Sequence, residues 1–199
     1  MYTYAVRVVR PEEWASVKAL RLLALEDPAA PLAFLETYET AAERPDSFWQ
    51  ERAAGAAESS ARARQFVAVA EDGLWAGTVT VLVEEAGSVD WAGEPVERHQ
   101  GHVVGVFVRK EWRGSGMTRA LLDAAADWAW ELGLERVRLI VHERNLRAQG
   151  AYRKAGFVPT GRTVLLGEGS QETEYEFALE RPGVSDRASD RASGGASDR

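Results

Sequence analysis

The 199-residue chain is predicted to be a single α/β domain, on three observations. Apolar residues alternate in some stretches, as at Val79, Val81 and Val83, and recur at three- and four-residue steps in others, as at Met117, Leu121, Ala124, Trp128 and Leu132. A glycine-bearing segment, Arg113 to Thr118, joins a strand-like run directly to one of the helix-like ones. With 45% hydrophobic and 28% charged residues, the chain has the balance of a globular protein that buries one core.

The elements follow in order. Ala5 to Val9 suits a short strand, and Pro11 with Glu12 and Glu13 starts a helix that runs to about Glu26. Pro28 and Pro31 break it, and Pro45-Asp46-Ser47 opens another helical stretch carrying Phe48 and Trp49. Phe66 to Val69 and Val79 to Val83, joined across Asp72-Gly73, read as a hairpin. Ala86 to Gln100 reads as a loop or short ribbon, and His102 to Val108 as a buried strand. A helix from Met117 to Leu132 ends near Gly133, and Val137 to Val141 forms another strand. A helix from Leu146 to Ala155 closes at Gly156, and Phe157 to Leu166 pairs with Glu172 to Leu179 across residues 167–170. The domain spans residues 1–180. Residues 181–199, where Ser-Asp-Arg occurs three times, are expected to be a disordered polar tail.

Composition removes several functions. Twenty-four basic against 31 acidic residues give a net charge of -7, which opposes binding to nucleic acid or anionic lipid. Cysteine is absent, so disulfides, thiolate nucleophiles and cysteine zinc sites are excluded. With only His99, His102 and His142 available, no metal site is expected. Neither a signal-peptide pattern nor a membrane-length apolar run occurs, so a cytoplasmic location is expected.

Two segments carry chemistry. Arg113-Gly114-Ser115-Gly116-Met117-Thr118 follows a strand and opens a helix, where glycines allow close approach and unpaired N–H groups point at negative charge; a diphosphate is the natural ligand. The lysine of a nucleotide P-loop and the three spaced glycines of a dinucleotide fold are both missing. Downstream, Asn145, Ala148, Tyr152, Lys154, Gly156 and Phe157 follow the order N-x-x-A-x-x-x-Y-x-K-x-G-F. Asn145 and Tyr152 lie two helical turns apart and share a face. Taken singly, the first segment reads equally as an ordinary glycine turn, and the second as a helix with Asn145 its N-cap and Tyr152 a core aromatic.

Together, over residues 102–158, the two segments resemble the GNAT superfamily of N-acetyltransferases, with Arg113 and Gly116 on its Arg/Gln-x-x-Gly-x-Gly/Ala loop and Thr118 departing from the last position. The resemblance implies a mixed, mostly antiparallel twisted sheet of six or seven strands, splayed in the middle and flanked by helices. It implies acetyl-CoA as cosubstrate, its pantetheine arm along the backbone of Val106, Phe107 and Val108. Its pyrophosphate would sit on Arg113, Gly114, Ser115, Gly116, Met117 and Thr118, with further contacts from Asn145, Tyr152 and Lys154. A backbone N–H near Val106 or Phe107 would stabilise the oxyanion, and Tyr152 would protonate the departing thiolate. Aligned on Val108, His102 falls where some members carry a glutamate base, and His142 is a second candidate. The implied acceptor is a primary amine of a small molecule or peptide; a homodimer is a further expectation. Glu84, Glu85, Asp90, Glu172, Glu174 and Glu176 read either as an acidic mouth for cationic amines or as a solvated sheet face. A catalytically silent acyl-CoA-binding sensor or interaction module is the alternative function.

Overall fold

The computed structural model describes residues 3–165 and 172–183. After β1 (Tyr4–Val8), a 3-10 turn at Pro11–Glu13 leads into α1 (Trp14–Leu25). Glu13 accepts from the Arg10 backbone N–H at 2.9 Å and pairs with Arg7 at 2.6 Å, which ties the helix start to the strand before it. Two short helices follow, α2 (Tyr38–Ala42) and α3 (Asp46–Gly55). The hairpin β2 (Ala63–Ala70) and β3 (Trp75–Glu84) leads to β4 (Gln100–Val108), α4 (Met117–Glu131) and β5 (Arg136–His142). Then come α5 (Leu146–Lys154), β6 (Val158–Leu165) and β7 (Thr173–Glu180). Residues 86–99 form a loop whose sheet-like pairing is the single bridge Val89–Pro95. The expected turn at 167–170 and residues 184–199 of the expected tail lie outside the described residues.

The seven strands form one sheet in the order β1-β2-β3-β4-β5-β7-β6. Every neighbouring pair is antiparallel except β4–β5, which is parallel and reaches only from Gly101–Val137 to Val103–Leu139. Past those residues both strands continue without pairing to each other, so the sheet splits into two leaves. On its other edge β4 bulges: Thr78 faces Phe107 and Thr80 faces Val104, so Gly105 and Val106 together oppose Val79. Gly105 takes φ +63°, which bends β4 away from β5 where the split begins.

Helices cover both faces. Against one face α4 packs Met117, Leu121, Leu122, Ala125, Trp128 and Ala129 on Val79, Val81, Val103 and Val137, with Tyr152, Ala155 and Phe157 completing the cluster. The helix stripe expected from the sequence holds except at Leu132, which is 40% exposed because it caps α4 beyond its last turn. On the opposite face, α1 and α3 pack Val17, Leu20, Trp49 and Ala53 on Val67 and Phe107. This two-sided burial explains why β4 is apolar at nearly every position rather than alternating.

Gly77 on β3 lies directly under the start of α4. A Cβ placed there would meet Met117 Sδ and the Phe107 carbonyl oxygen at 3.0 Å and Leu121 Cδ1 at 3.1 Å. Gly77→Ala is therefore expected to lower stability by about 1–3 kcal/mol by pushing α4 off the sheet. Urea denaturation checks this; an unchanged midpoint would show that the helix start yields freely.

Candidate functional site

The segment after β4 folds as the sequence suggests, but its parts divide their tasks differently. A 3-10 turn at Lys110–Trp112 precedes Gly114 at φ +80° and Gly116 at φ +87°, and Gly116 is the residue before the first turn of α4. Two left-handed residues this close turn successive N–H groups to one side. Among the described residues no acceptor lies on the N–H groups of Gly114, Gly116, Thr118 or Arg119. The space beside both glycines is open, with no atom within 4 Å of a Cβ built on either. Unmatched donors, the positive end of a 15-residue helix and open space together fit a pyrophosphate.

The Arg113 side chain turns away from these donors. Its Nε donates to the Val108 carbonyl at 3.1 Å and its Nη2 to Asp27, so it fastens the turn to the end of β4 and to the residues after α1. Ser115 Oγ donates to the Trp112 carbonyl at 2.6 Å, and the Met117 side chain is buried under α4. Lys154 ends α5, and its carbonyl accepts from Arg119 Nη1 at 3.0 Å, drawing the end of α5 to the start of α4.

Asn145 is the N-cap of α5: its Oδ1 accepts from the Ala148 N–H at 3.2 Å, and its Nδ2 donates to the Leu32 carbonyl at 3.3 Å. Tyr152 is buried on the α4–α5 face beside Phe157, ring centroids 6.4 Å apart. No group among the described residues hydrogen-bonds its hydroxyl. Burial pushes the phenol up to about 12, against a smaller opposing pull from Arg147, so it stays protonated at neutral pH.

His102 lies on the opposite face. The β4 pleat sends Gly101 and Val103 toward α4, and His102 and Val104 into a cleft of about 520 Å³ that Leu82 and Trp91 also line. His102 Nδ1 is 2.9 Å from Glu84 Oε1. Burial alone would raise the Glu84 carboxyl, but hydrogen bonds and charge from His102 and Arg138 outweigh it and hold the group at about 2. A carboxylate only accepts, so Nδ1 carries the proton and the lone pair at Nε2 is left for another partner. His142 has the reverse arrangement. Its Nδ1 accepts from the Arg144 N–H at 3.1 Å, which leaves the neutral ring with a proton rather than a lone pair at Nε2.

Of the six acidic residues, Glu84, Glu85 and Asp90 line the cleft beside His102, and most of the six are tied into ion pairs rather than solvated. Arg138 on β5, 1% exposed, reaches Glu84 at 2.7 Å, Asp90 at 3.0 Å and Glu176 at 3.0 Å, and Arg136 adds a second contact to Glu176 at 2.7 Å. Only Glu85 and Glu172 are well exposed, at 72% and 51%. Glu174 is half-buried, and burial raises its carboxyl. No sequence spacing announces this cluster, because its members come from β3, the 86–99 loop, β5 and β7 and meet only through strand order. Among the described residues no group of three or more histidine, aspartate or glutamate side chains is arranged to hold a metal. None of the helices there is long and apolar enough to cross a membrane.

The model of the acetyltransferase (GNAT) family matches residues 22–157. An aminoglycoside N(6')-acetyltransferase type 1 of Stenotrophomonas maltophilia is 30% identical over 101 residues, covering 51% of this chain and 63% of that protein. The streptothricin acetyltransferase of Streptomyces lavendulae is 35% identical over 135 residues, covering 68% of this chain and 65% of that protein. The chain thus spans a little under two thirds of the length of these curated relatives. A GNAT-family acetyltransferase structure from Streptococcus pneumoniae shares the fold at a TM-score of 0.62 and 23% identity, covering 90% of this chain and all of that one.

Arg138→Met leaves three buried carboxylates without their shared cation and is expected to cost about 3–5 kcal/mol in urea unfolding. Glu84 adds a pH signature. Its carboxyl is held below the ordinary 4.5, at about 2, so its stabilisation is complete above about pH 4.5 and is lost as pH falls toward 2. Glu84→Gln is expected to flatten the wild-type stability loss across that window; parallel curves for the two proteins would remove the assignment.

Proposed function

The chain belongs to the acetyltransferase (GNAT) family, and on that premise we propose that it transfers an acetyl group from acetyl-CoA to a primary amine of a small molecule or peptide. The observation that supports this reading is the split between β4 and β5 together with the unmatched N–H donors at the start of α4, while a neutral phenol on α5 and an imidazole with an open Nε2 lie on opposite faces of the sheet.

The amides of Gly114, Gly116, Thr118 and Arg119 would hold the pyrophosphate. Thr118 contributes through its backbone and so serves despite its branched side chain. The free edge of β4 beyond Val103 would take the pantetheine arm as an added strand, at Val106, Phe107 and Val108. Bound acetyl-CoA supplies a thioester whose carbonyl carbon is open to a neutral amine. A backbone N–H of the bulged segment, at Val106 or Phe107, stabilises the negative oxygen formed on attack. His102 Nε2 takes the ammonium proton, directly or through water, while Glu84 fixes the ring's tautomer. As the new C–N bond forms and the C–S bond breaks, Tyr152 gives its phenol proton to the leaving thiolate.

The named relatives, an aminoglycoside acetyltransferase and a streptothricin acetyltransferase, support N-acetylation of amines. Calorimetry with acetyl-CoA and thiol release over an amine panel tests the whole reading. Binding without release above hydrolysis, for every amine, would favour a silent acyl-CoA sensor.

Tyr152→Phe is expected to lower kcat by about a hundredfold or more with little change in acetyl-CoA affinity. Wild-type turnover would remove the phenol from the mechanism. His102→Ala is expected to lose the acidic limb of the kcat/KM profile, because only the unprotonated imidazole accepts a proton. A limb identical to wild type would exclude His102 as the titrating base.

A further inference from the structure

On the sheet face that carries His102, a second and smaller cavity of about 20 Å³ lies between α1, α3 and the strands. Its wall includes Arg21, Arg52, Gln65, Thr80 and, from the β4 bulge, Gly105 and Phe107. It therefore touches the strand segment beside which the acyl group is proposed to sit, from the side opposite α4.

The charges around it do not balance. Glu36 Oε2 is 3.2 Å from Arg21 and Glu36 Oε1 is 2.7 Å from Arg44, so a single carboxylate serves two guanidiniums. Arg52 makes no ion pair or hydrogen bond among the described residues. Apart from burial, Arg52 feels Arg21 and Arg44 as like charges and Glu36 as the one opposite charge. An arginine does not shed its proton at neutral pH, so this pocket wall holds an excess of positive charge partly withdrawn from water.

Gln65 supplies an independent observation. It is 5% exposed, and its Nε2 donates to Thr78 Oγ1 at 3.1 Å. Thr78 spends its own proton on the Phe66 carbonyl at 2.8 Å, so the threonine must accept from the amide, and this fixes which way Gln65 points. Its Oε1 is then left sealed from solvent with no donor. An unfilled acceptor and an unmatched cation thus share one wall, as expected of a site completed by a ligand.

We infer that the amine acceptor carries a carboxylate, which docks on Arg21 and Arg52 with a neighbouring N–H or O–H of the same molecule on Gln65 Oε1. This rests on the acetyl-transfer reading and names its substrate class. The carboxylate sits under the β4 bulge, the reacting nitrogen reaches toward the split, and the rest of the molecule occupies the cleft lined by Leu82 and Trp91.

The test compares amino acids with their matching carboxamides in thiol-release assays with acetyl-CoA. Wild type is expected to favour the acids by about tenfold or more in kcat/KM, the scale of a charge-assisted hydrogen bond. Arg52→Gln is expected to bring that ratio close to one, and Arg52→Lys to restore part of it. Arg52 makes no hydrogen bond or ion pair among the described residues, so neither variant should impair folding. A second readout needs no turnover: N-acetylated amino acids should raise the Tm of wild type but not of Arg52→Gln, and the matching amides should raise neither. Acids and amides acetylated equally well, an acid preference that survives Arg52→Gln, or a Tm indifferent to carboxylates would each overturn the subsite and leave acetyl transfer standing. A carboxylate-specific Tm rise without acetylation of any amine would support the subsite and remove the acetyl-transfer reading instead.

Discussion

Parallel pairing between β4 and β5 lasts only from Gly101 to Val103, and the buried guanidinium of Arg138 sits within that short junction. Arg138 takes carboxylates from β3, β7 and the 86–99 loop, so it ties acids of both leaves to one cation. Separating the leaves at this end would strand several desolvated charges, a cost far above that of the few backbone bonds involved. At the other end no comparable ion pair spans the gap among the described residues. The bulge at Gly105 and Val106 turns β4 aside, and the strands diverge. One end is thus pinned electrostatically while the other stays open; the donor turn follows the open end of β4, and His102 lies at the pinned end.

The same cluster also fixes a histidine on one face. Glu84 is shared between Arg138 and His102, so the group that secures the junction also orients the imidazole. Asp90, anchored on Arg138, holds the loop that places Trp91 at the edge of the cleft. On the other face the phenol of Tyr152 lies among the residues that pack α4 and α5 on the sheet. The two side chains therefore lie on opposite faces of the sheet.

Local pattern exposed much of this. Strand alternation, the α4 stripe and the turn glycines are local properties, and so is the capping of α5 by Asn145; α4, β5 and α5 appear within a residue or two of their expected places, whereas β2 and β3 begin three or more residues earlier than expected. The donor turn was legible because a helix start and two glycines produce it without help from distant residues. Misreadings arose where a side chain's role depends on what lies opposite. Arg113 stands on the motif, yet its guanidinium serves Asp27 and Val108. Glu84, Asp90 and Glu176 look solvated in any window of sequence, yet they converge on one cation.

The sequence by itself determined the order of elements, the glycine-bearing helix start after β4 and the family to which these belong, because short-range periodicity and backbone chemistry encode all three. Tertiary structure alone decided which histidine keeps a free lone pair, where the acids go, and that Arg21, Arg52 and Gln65 share one cavity wall. Those outcomes depend on strand order and on which face each residue takes, relations between segments far apart in the chain that no local pattern records.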